Sequence, residues 1–210
     1  VDMGISYQAV GIERLADDGR YLFVSNHPFG GMDGLMLCDE IYKRFGKVHI
    51  IVNDLLMYLT PLKSLFIPIN KHGRQKAEYV QMLKTQLDDS GPIATFPAGL
   101  CSRRIKGVVQ DLAWKPSFIK NASGRDIVPV FFEGKLSSFF YNLANLRTFL
   151  GIKANIEMLY LADEMFKQKG KHFNIRFGTP IPCDRLKEFP STKEASDFVR
   201  DAVYRMKQGK

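Results

Sequence analysis

A histidine and an aspartate stand six positions apart in Ser25-Asn26-His27-Pro28-Phe29-Gly30-Gly31-Met32-Asp33-Gly34, directly after an apolar run. An imidazole becomes an effective base when a carboxylate holds one ring nitrogen, because that fixes the tautomer, aims the other nitrogen and stabilises the imidazolium. Gly30 and Gly31 lack Cβ atoms, so the chain between the pair can turn sharply and let backbone or substrate approach closely. Asn26 can brace that turn through its amide. The pair therefore suits activation of a hydroxyl or amine belonging to a substrate. Taken alone, the same spacing also fits a histidine at a strand end and an aspartate capping the next helix.

A second segment that could do chemistry is Thr95-Phe96-Pro97-Ala98-Gly99-Leu100-Cys101-Ser102-Arg103-Arg104. Pro97 and Gly99 fix a tight loop whose amides, with Ser102, Arg103 and Arg104, can cradle an anion. A turn with solvated arginines is the plainer account. Pro68-Ile69-Asn70-Lys71 offers one further cation, Lys71.

The elements that must carry these loops are readable from periodicity. Tyr21–Ser25 reads as a buried strand, and residues 48–52, 66–69, 92–96, 127–132 and 174–177 as further strands. Helical spacing runs over 33–44, with Leu35, Leu37, Ile41 and Phe45 toward one side, over 73–87 and over 193–206. This alternation predicts a single α/β domain over residues 1–210 with a central, mostly parallel or mixed sheet flanked by helices. In such sheets ligands sit beyond the carboxyl ends of strands, where both the His27 loop and the loop after Phe96 begin. The stretch from Leu136 to Leu150 is apolar, with Phe139, Phe140, Leu143, Leu146 and Leu150 near helical spacing. It fits a core helix, a wall of an acyl groove, or a helix dipping into a lipid interface with Arg147 and Lys153 near phosphates.

Bulk properties narrow the class. A chain of 210 residues with 45% hydrophobic content can bury one substantial core. A net charge of +8 favours an anionic partner such as a phosphorylated substrate or acidic lipid, and no zinc-finger or RNA-binding motif supports nucleic acid. Three scattered cysteines, Cys38, Cys101 and Cys183, argue against a disulfide framework and suit reduced, cytoplasmic thiols. No apolar run approaches the ~20 residues of a spanning helix. The first residue is Val1 rather than Met, which leaves room for a native N-terminal segment and an anchor ahead of it.

The His27–Asp33 segment resembles motif I of the PlsC-type glycerolipid or lysophospholipid acyltransferases. That motif has four residues between histidine and aspartate; the five found here resemble a hemolysin-like branch. Phe96-Pro97-Ala98-Gly99 resembles the family's Phe-Pro-Glu-Gly segment, with Ala98 in the acidic position and Cys101 in the arginine position. Lys71 lies near the second motif's arginine, Ile127-Val128-Pro129-Val130 matches the fourth motif, and the stretch from Gly107 to Trp114-Lys115 resembles the same branch. The bland account of Trp114, a core or rim aromatic, is preferred. The resemblance implies transfer of a fatty acyl group from acyl-coenzyme A or acyl carrier protein to a lyso-lipid or related acceptor. His27 would be the general base and Asp33 its orienter. Asn26, Gly30, Gly31, Lys71, Pro97, Gly99, Ser102, Arg103 and Arg104 would line the substrates. It further implies no bound cofactor and peripheral attachment to the cytoplasmic face of the membrane. The departures leave room for a catalytically relaxed lipid-binding protein. A hydrolase using Ser25 or Cys101 lacks the Gly-x-Ser-x-Gly elbow.

Overall fold

In a computed structural model, residues 3–58, 60–69, 81, 85, 91–122 and 124–207 are described. They are built around one seven-stranded sheet. In chain order the strands are β1 (Ser6–Val10), β2 (Tyr21–Ser25), β3 (His49–Asn53), β4 (Phe66–Ile69), β5 (Ile93–Thr95), β8 (Asp126–Glu133) and β9 (His172–Phe177), with β6 (Arg103–Ile105) and β7 (Val108–Gln110) as a separate hairpin. Across the sheet the order is β1-β9-β8-β2-β5-β3-β4. All neighbours run parallel except β8 and β9, so the sheet is mixed and mostly parallel, as the alternation of elements predicts.

The central strands read as continuous apolar runs because both faces of a parallel sheet are covered. Every residue of β2 is buried. Tyr21 and Phe23 join a core with Leu37, Ile41, Val128, Val130 and Phe140, while Leu22 and Val24 join a second core with Ile127, Phe131, Val199 and Val203. The covering helices are α1 (Gly31–Phe45), α2 (Ser117–Ala122), α3 (Ser138–Phe149), α4 (Leu161–Phe166), α5 (Cys183–Lys187) and α6 (Thr192–Arg205). Gly46, at φ 72°, ends α1 in the left-handed conformation and donates its N–H to the Tyr42 carbonyl. Ser191 caps α6 by accepting the Glu194 N–H, in a capping-box pattern.

Three expectations need correction. Leu35 is 47% exposed, and the inward stripe of α1 is Met32, Met36, Leu37 and Ile41. At ~100° per residue Leu35 and Leu37 stand roughly 200° apart around the helix, so both cannot face the core. The Leu136–Leu150 stretch does form a helix, but it buries Phe140, Tyr141 and Ala144 while Phe139, Leu146 and Leu150 lie 49%, 54% and 60% exposed. Arg147 is turned inward, bonding the Ile152 carbonyl and pairing with Glu157, and so does not reach out beside Lys153. The expected helix over 73–87 lies outside the described residues apart from Gln81 and Thr85, both helical. Among the described residues no helix is long and apolar enough to cross a membrane.

Candidate active site

The chain leaves β2 at Ser25, opposite Val130 of β8. One residue later the Asn26 side chain carries on as if it were strand. Its Nδ2 donates to the Phe132 carbonyl at 3.0 Å and its Oδ1 accepts the Phe132 N–H at 2.7 Å. That clamp fixes where His27 begins. At φ 75°, Gly30 takes a conformation that disfavours a Cβ, and a Cβ there would stand 3.1 Å from Leu161. The turn it makes brings Asp33, in the first turn of α1, back under the histidine.

Asp33 is fully buried, and both its carboxylate oxygens lie 3.1 Å from His27 Nδ1. The Phe29 N–H donates to Oδ2 and the Gly34 N–H to Oδ1, each at 2.9 Å, so the carboxylate is held rigidly. A carboxylate only accepts, so Nδ1 carries the proton and Nε2 is left as the basic nitrogen. The ring packs on Phe96 at 4.3 Å between centroids and keeps 17% of its side chain exposed. Burial is the largest influence on the imidazole pKa and pulls it down. The Asp33 charge and hydrogen bond, with the Asp111 charge behind them, outweigh burial and the opposing Arg103, so the net direction is up from 6.5.

The two loops that were expected to share a crevice are laced together. The Ser102 N–H donates to the His27 carbonyl at 2.7 Å. Asp111, just beyond β7, accepts the His27 N–H at 3.1 Å and the Ser102 hydroxyl at 2.6 Å on one oxygen, and Trp114 Nε1 at 2.8 Å on the other. Its own N–H donates to the Tyr204 hydroxyl of α6. Burial dominates Asp111 and raises its carboxyl pKa against these three donors. Trp114 is a core aromatic with a specific partner. Asp111 gave no signal in the sequence, because two of its partners stand 84 and 93 positions away.

Other expected site residues have diverse surroundings. Arg103 is buried and turned inward, donating to the Cys101 carbonyl and to Glu157 at 2.7 Å. Arg104 is half-buried, lies over the Tyr141 ring and makes long bonds to Asn142 and Ser138. Pro97 is buried in a turn closed by the Gly99 N–H on the Phe96 carbonyl, and Gly99 and Gly31 are open to solvent. Lys71 and Asn70 lie outside the described residues. Glu157 was missed, although a lone acid within Ile156-Glu157-Met158-Leu159-Tyr160 is the sequence mark of a buried ion pair. Ser25 is fully buried with its hydroxyl on the Asn26 carbonyl. Burial pushes the Cys101 thiol up to about 11, so neither residue has the features of an activated nucleophile. A cleft of about 490 Å³ adjoins the loop on the side of Asn26 and Pro28, walled by Val108, Phe131 and Tyr204 with Lys135 and Lys207 beside it.

A carboxylate-held imidazole at the end of a parallel strand, beside a hydroxyl and a thiol that are both buried, defines a class of α/β protein suited to deprotonating a group on its ligand. The chain belongs to the PlsC-type acyltransferase family: a family model described as acyltransferase matches residues 1–210. It is 48% identical over 199 residues to a lyso-glycine lipid O-acyltransferase of Bacteroides thetaiotaomicron, covering 93% of this chain and 73% of that one. Identity is 46% to a protein of the same description from Phocaeicola vulgatus, over 93% of this chain and 71% of the relative. The crystal structure of the 1-acyl-sn-glycerophosphate acyltransferase PlsC from Thermotoga maritima shares the fold, with a TM-score of 0.53 over 98% of this chain and 73% of that one at 16% identity.

Proposed function

We propose that the protein transfers a fatty acyl group from an acyl thioester, acyl-coenzyme A or acyl carrier protein, to the hydroxyl of a lyso-lipid. His27 is the general base and Asp33 its orienter. The observation that carries this reading is the 3.1 Å approach of both Asp33 oxygens to Nδ1, which leaves Nε2 to take a proton. The acceptor hydroxyl gives its proton to Nε2 as its oxygen attacks the thioester carbonyl. The tetrahedral oxyanion then collapses, the C–S bond breaks, and the thiolate recovers the proton from Nε2. No covalent enzyme intermediate is needed, since the thioester arrives activated and alignment does the rest. Backbone amides of the Gly30-Gly31 turn support the oxyanion, since the Gly99 N–H is already held by the Phe96 carbonyl.

The relatives' description suggests the acceptor. Glycine has no hydroxyl, so a lyso-glycine lipid acylated on oxygen must offer one on its existing acyl chain, and it keeps the glycine carboxylate as its anion. Arg104, the less committed of the two arginines, suits that carboxylate, with Gly99 and Ser102 on the same loop. Lys135 and Lys207 of the adjoining cleft suit the phosphates of the donor. The reaction takes place at the cytoplasmic face of the membrane. Mass spectrometry of lipids after expression of the wild type and of His27→Ala tests the reading. Acylated product in the wild type alone is expected, and equal product from a folded His27→Ala protein overturns it.

A further inference from the structure

The outer side of α3 carries Phe139, Leu146, Phe149 and Leu150, which are 49%, 54%, 86% and 60% exposed. Their spacing of seven, three and one places them along one side of the helix, opposite Phe140, Tyr141 and Ala144. The 3-10 turn Ile156–Tyr160 sets Leu159, 82% exposed, and Tyr160, 42% exposed, beside them, and the Tyr160 and Phe139 rings meet edge to face at 5.1 Å. Soluble surfaces scatter single apolar residues, and a joined patch of this kind marks a docking surface.

Charge and position identify what docks. Residues 135–171 hold six Lys or Arg against three acids, and two of the six, Arg147 and Lys167, are spent on those acids, which leaves an excess of positive charge. All three acids are already engaged: Glu157 by Arg103 and Arg147, Glu164 by Ser137 and Lys167, and Asp163 by Lys167. Lys153 is exposed in the loop between the helix and the turn. Phe and Leu with Lys153 in the adjoining loop and Lys167 over the Phe139 ring match an anionic lipid surface, whereas protein interfaces are depleted of Lys. The inner side of the same turn is fastened to both loops of the site: Glu157 to Arg103, the Met158 sulfur 3.7 Å from Cys101 Sγ, and Leu161 against Gly30. We infer that this face docks the protein on an anionic bilayer and holds the His27 loop at the lipid surface, where a lyso-lipid acceptor enters. The delivery of acceptor rests on the acyl-transfer reading; the docking does not.

The test is sedimentation of the full chain with vesicles of phosphatidylcholine, alone or with one-third phosphatidylglycerol. The wild type should bind the anionic vesicles, less so at high salt and least of all the neutral ones. The double variant Phe149→Asp, Leu159→Asp should lose about 100-fold in partitioning, since each side chain forfeits its transfer into the interface. Both positions are exposed, so its melting temperature should be unchanged. Thiol release from octanoyl-coenzyme A with a short-chain N-hydroxyacyl glycine below its micelle concentration should also match the wild type. Equal sedimentation of variant and wild type, binding without preference for anionic lipid, or a stable dimer abolished by the double variant each overturns the inference. Should acyl transfer itself be misassigned, thiol release would be insensitive to His27→Ala while vesicle binding persisted.

Discussion

Replacing Asp33 with Asn tests the orienting role directly, because the geometry leaves the amide no harmless orientation. Both carboxylate oxygens lie 3.1 Å from His27 Nδ1. Whichever way the amide turns, its NH2 faces that nitrogen beside the one oxygen that remains, so a donor competes there with the acceptor and draws the ring toward the tautomer protonated on Nε2. The basic lone pair then points inward, away from any substrate. The same NH2 also confronts a backbone donor, the Phe29 N–H on one side or the Gly34 N–H on the other, each of which now has an acceptor at 2.9 Å. Leaving one buried donor unsatisfied costs about 1–3 kcal/mol, a melting-temperature fall of about 2–12 °C for a chain of this size. The chemical cost is larger: a base held in the wrong tautomer loses about 10³–10⁴-fold in kcat. Thiol release from acyl-coenzyme A, followed with a thiol-reactive dye in the presence of acceptor, reads kcat, and calorimetry reads stability. A folded Asp33→Asn protein retaining more than about a tenth of wild-type kcat would refute the reasoning, since the carboxylate would then not be setting the imidazole's direction.

Because Asp33 and Asp111 hold the His27 pKa above 6.5, the neutral base is lost as pH falls through that raised value, and kcat/KM should decline there rather than at 6.5. The same shift has the opposite sign for stability: the His27–Asp33 pair contributes fully below 6.5, and its contribution fades as pH rises through the raised value. Paired pH titrations of activity and melting temperature should move in those opposite directions, and an acid limb at or below 6.5 would contradict the assignment. Glu157→Gln removes the charge facing two arginines whose side chains are only 7% and 13% exposed. Breaking a buried pair in this way costs about 3–5 kcal/mol, so thermal unfolding should come about 6–20 °C earlier. Gly134→Ala would set a Cβ 2.0 Å from the Phe29 ring at a φ of 152°, pressing on the residue whose N–H steadies Asp33. Overpacking of about 1–3 kcal/mol and weaker acyl transfer should follow, and an alanine variant equal to wild type in both would show that the loop yields without consequence.

What the sequence disclosed was whatever short-range pattern encodes. The middles of β2, β5 and β8 are apolar runs because helices cover both faces of their sheet, and the His27–Asp33 turn is local enough for its glycines to announce it. Strand β1 escaped notice because Ser6-Tyr7-Gln8-Ala9-Val10 lies at an edge, half-buried, and pairs with β9 across 166 positions. The hairpin of β6 and β7 was legible in principle: Lys106 and Gly107 both take positive φ, the mark of a two-residue turn, between two β-prone triplets. Arg103 illustrates the limit. Its motif position suggested an anion from outside, yet its guanidinium meets Glu157 from 54 positions away. Only the three-dimensional return of the chain decides between those partners.

That substitution of an internal acid for an external anion bears on how the base works. The charged groups acting most strongly on the imidazole are Asp33, Asp111 and Arg103. With both acids ionised these sum to −1, because Glu157 is shared between Arg103 and Arg147 and offsets only one of them at a time. A neutral imidazole therefore sits in a net negative pocket, and a proton taken up at Nε2, as the proposed reaction requires, would bring that pocket to neutrality. The hydrogen bonds from Ser102, Trp114 and the His27 backbone hold Asp111 in place beforehand, as the Phe29 and Gly34 amides hold Asp33. Little in the pocket has to reorganise when the imidazolium forms, and stabilisation of a developing charge by dipoles already fixed is the largest contribution a folded chain can make to such a step.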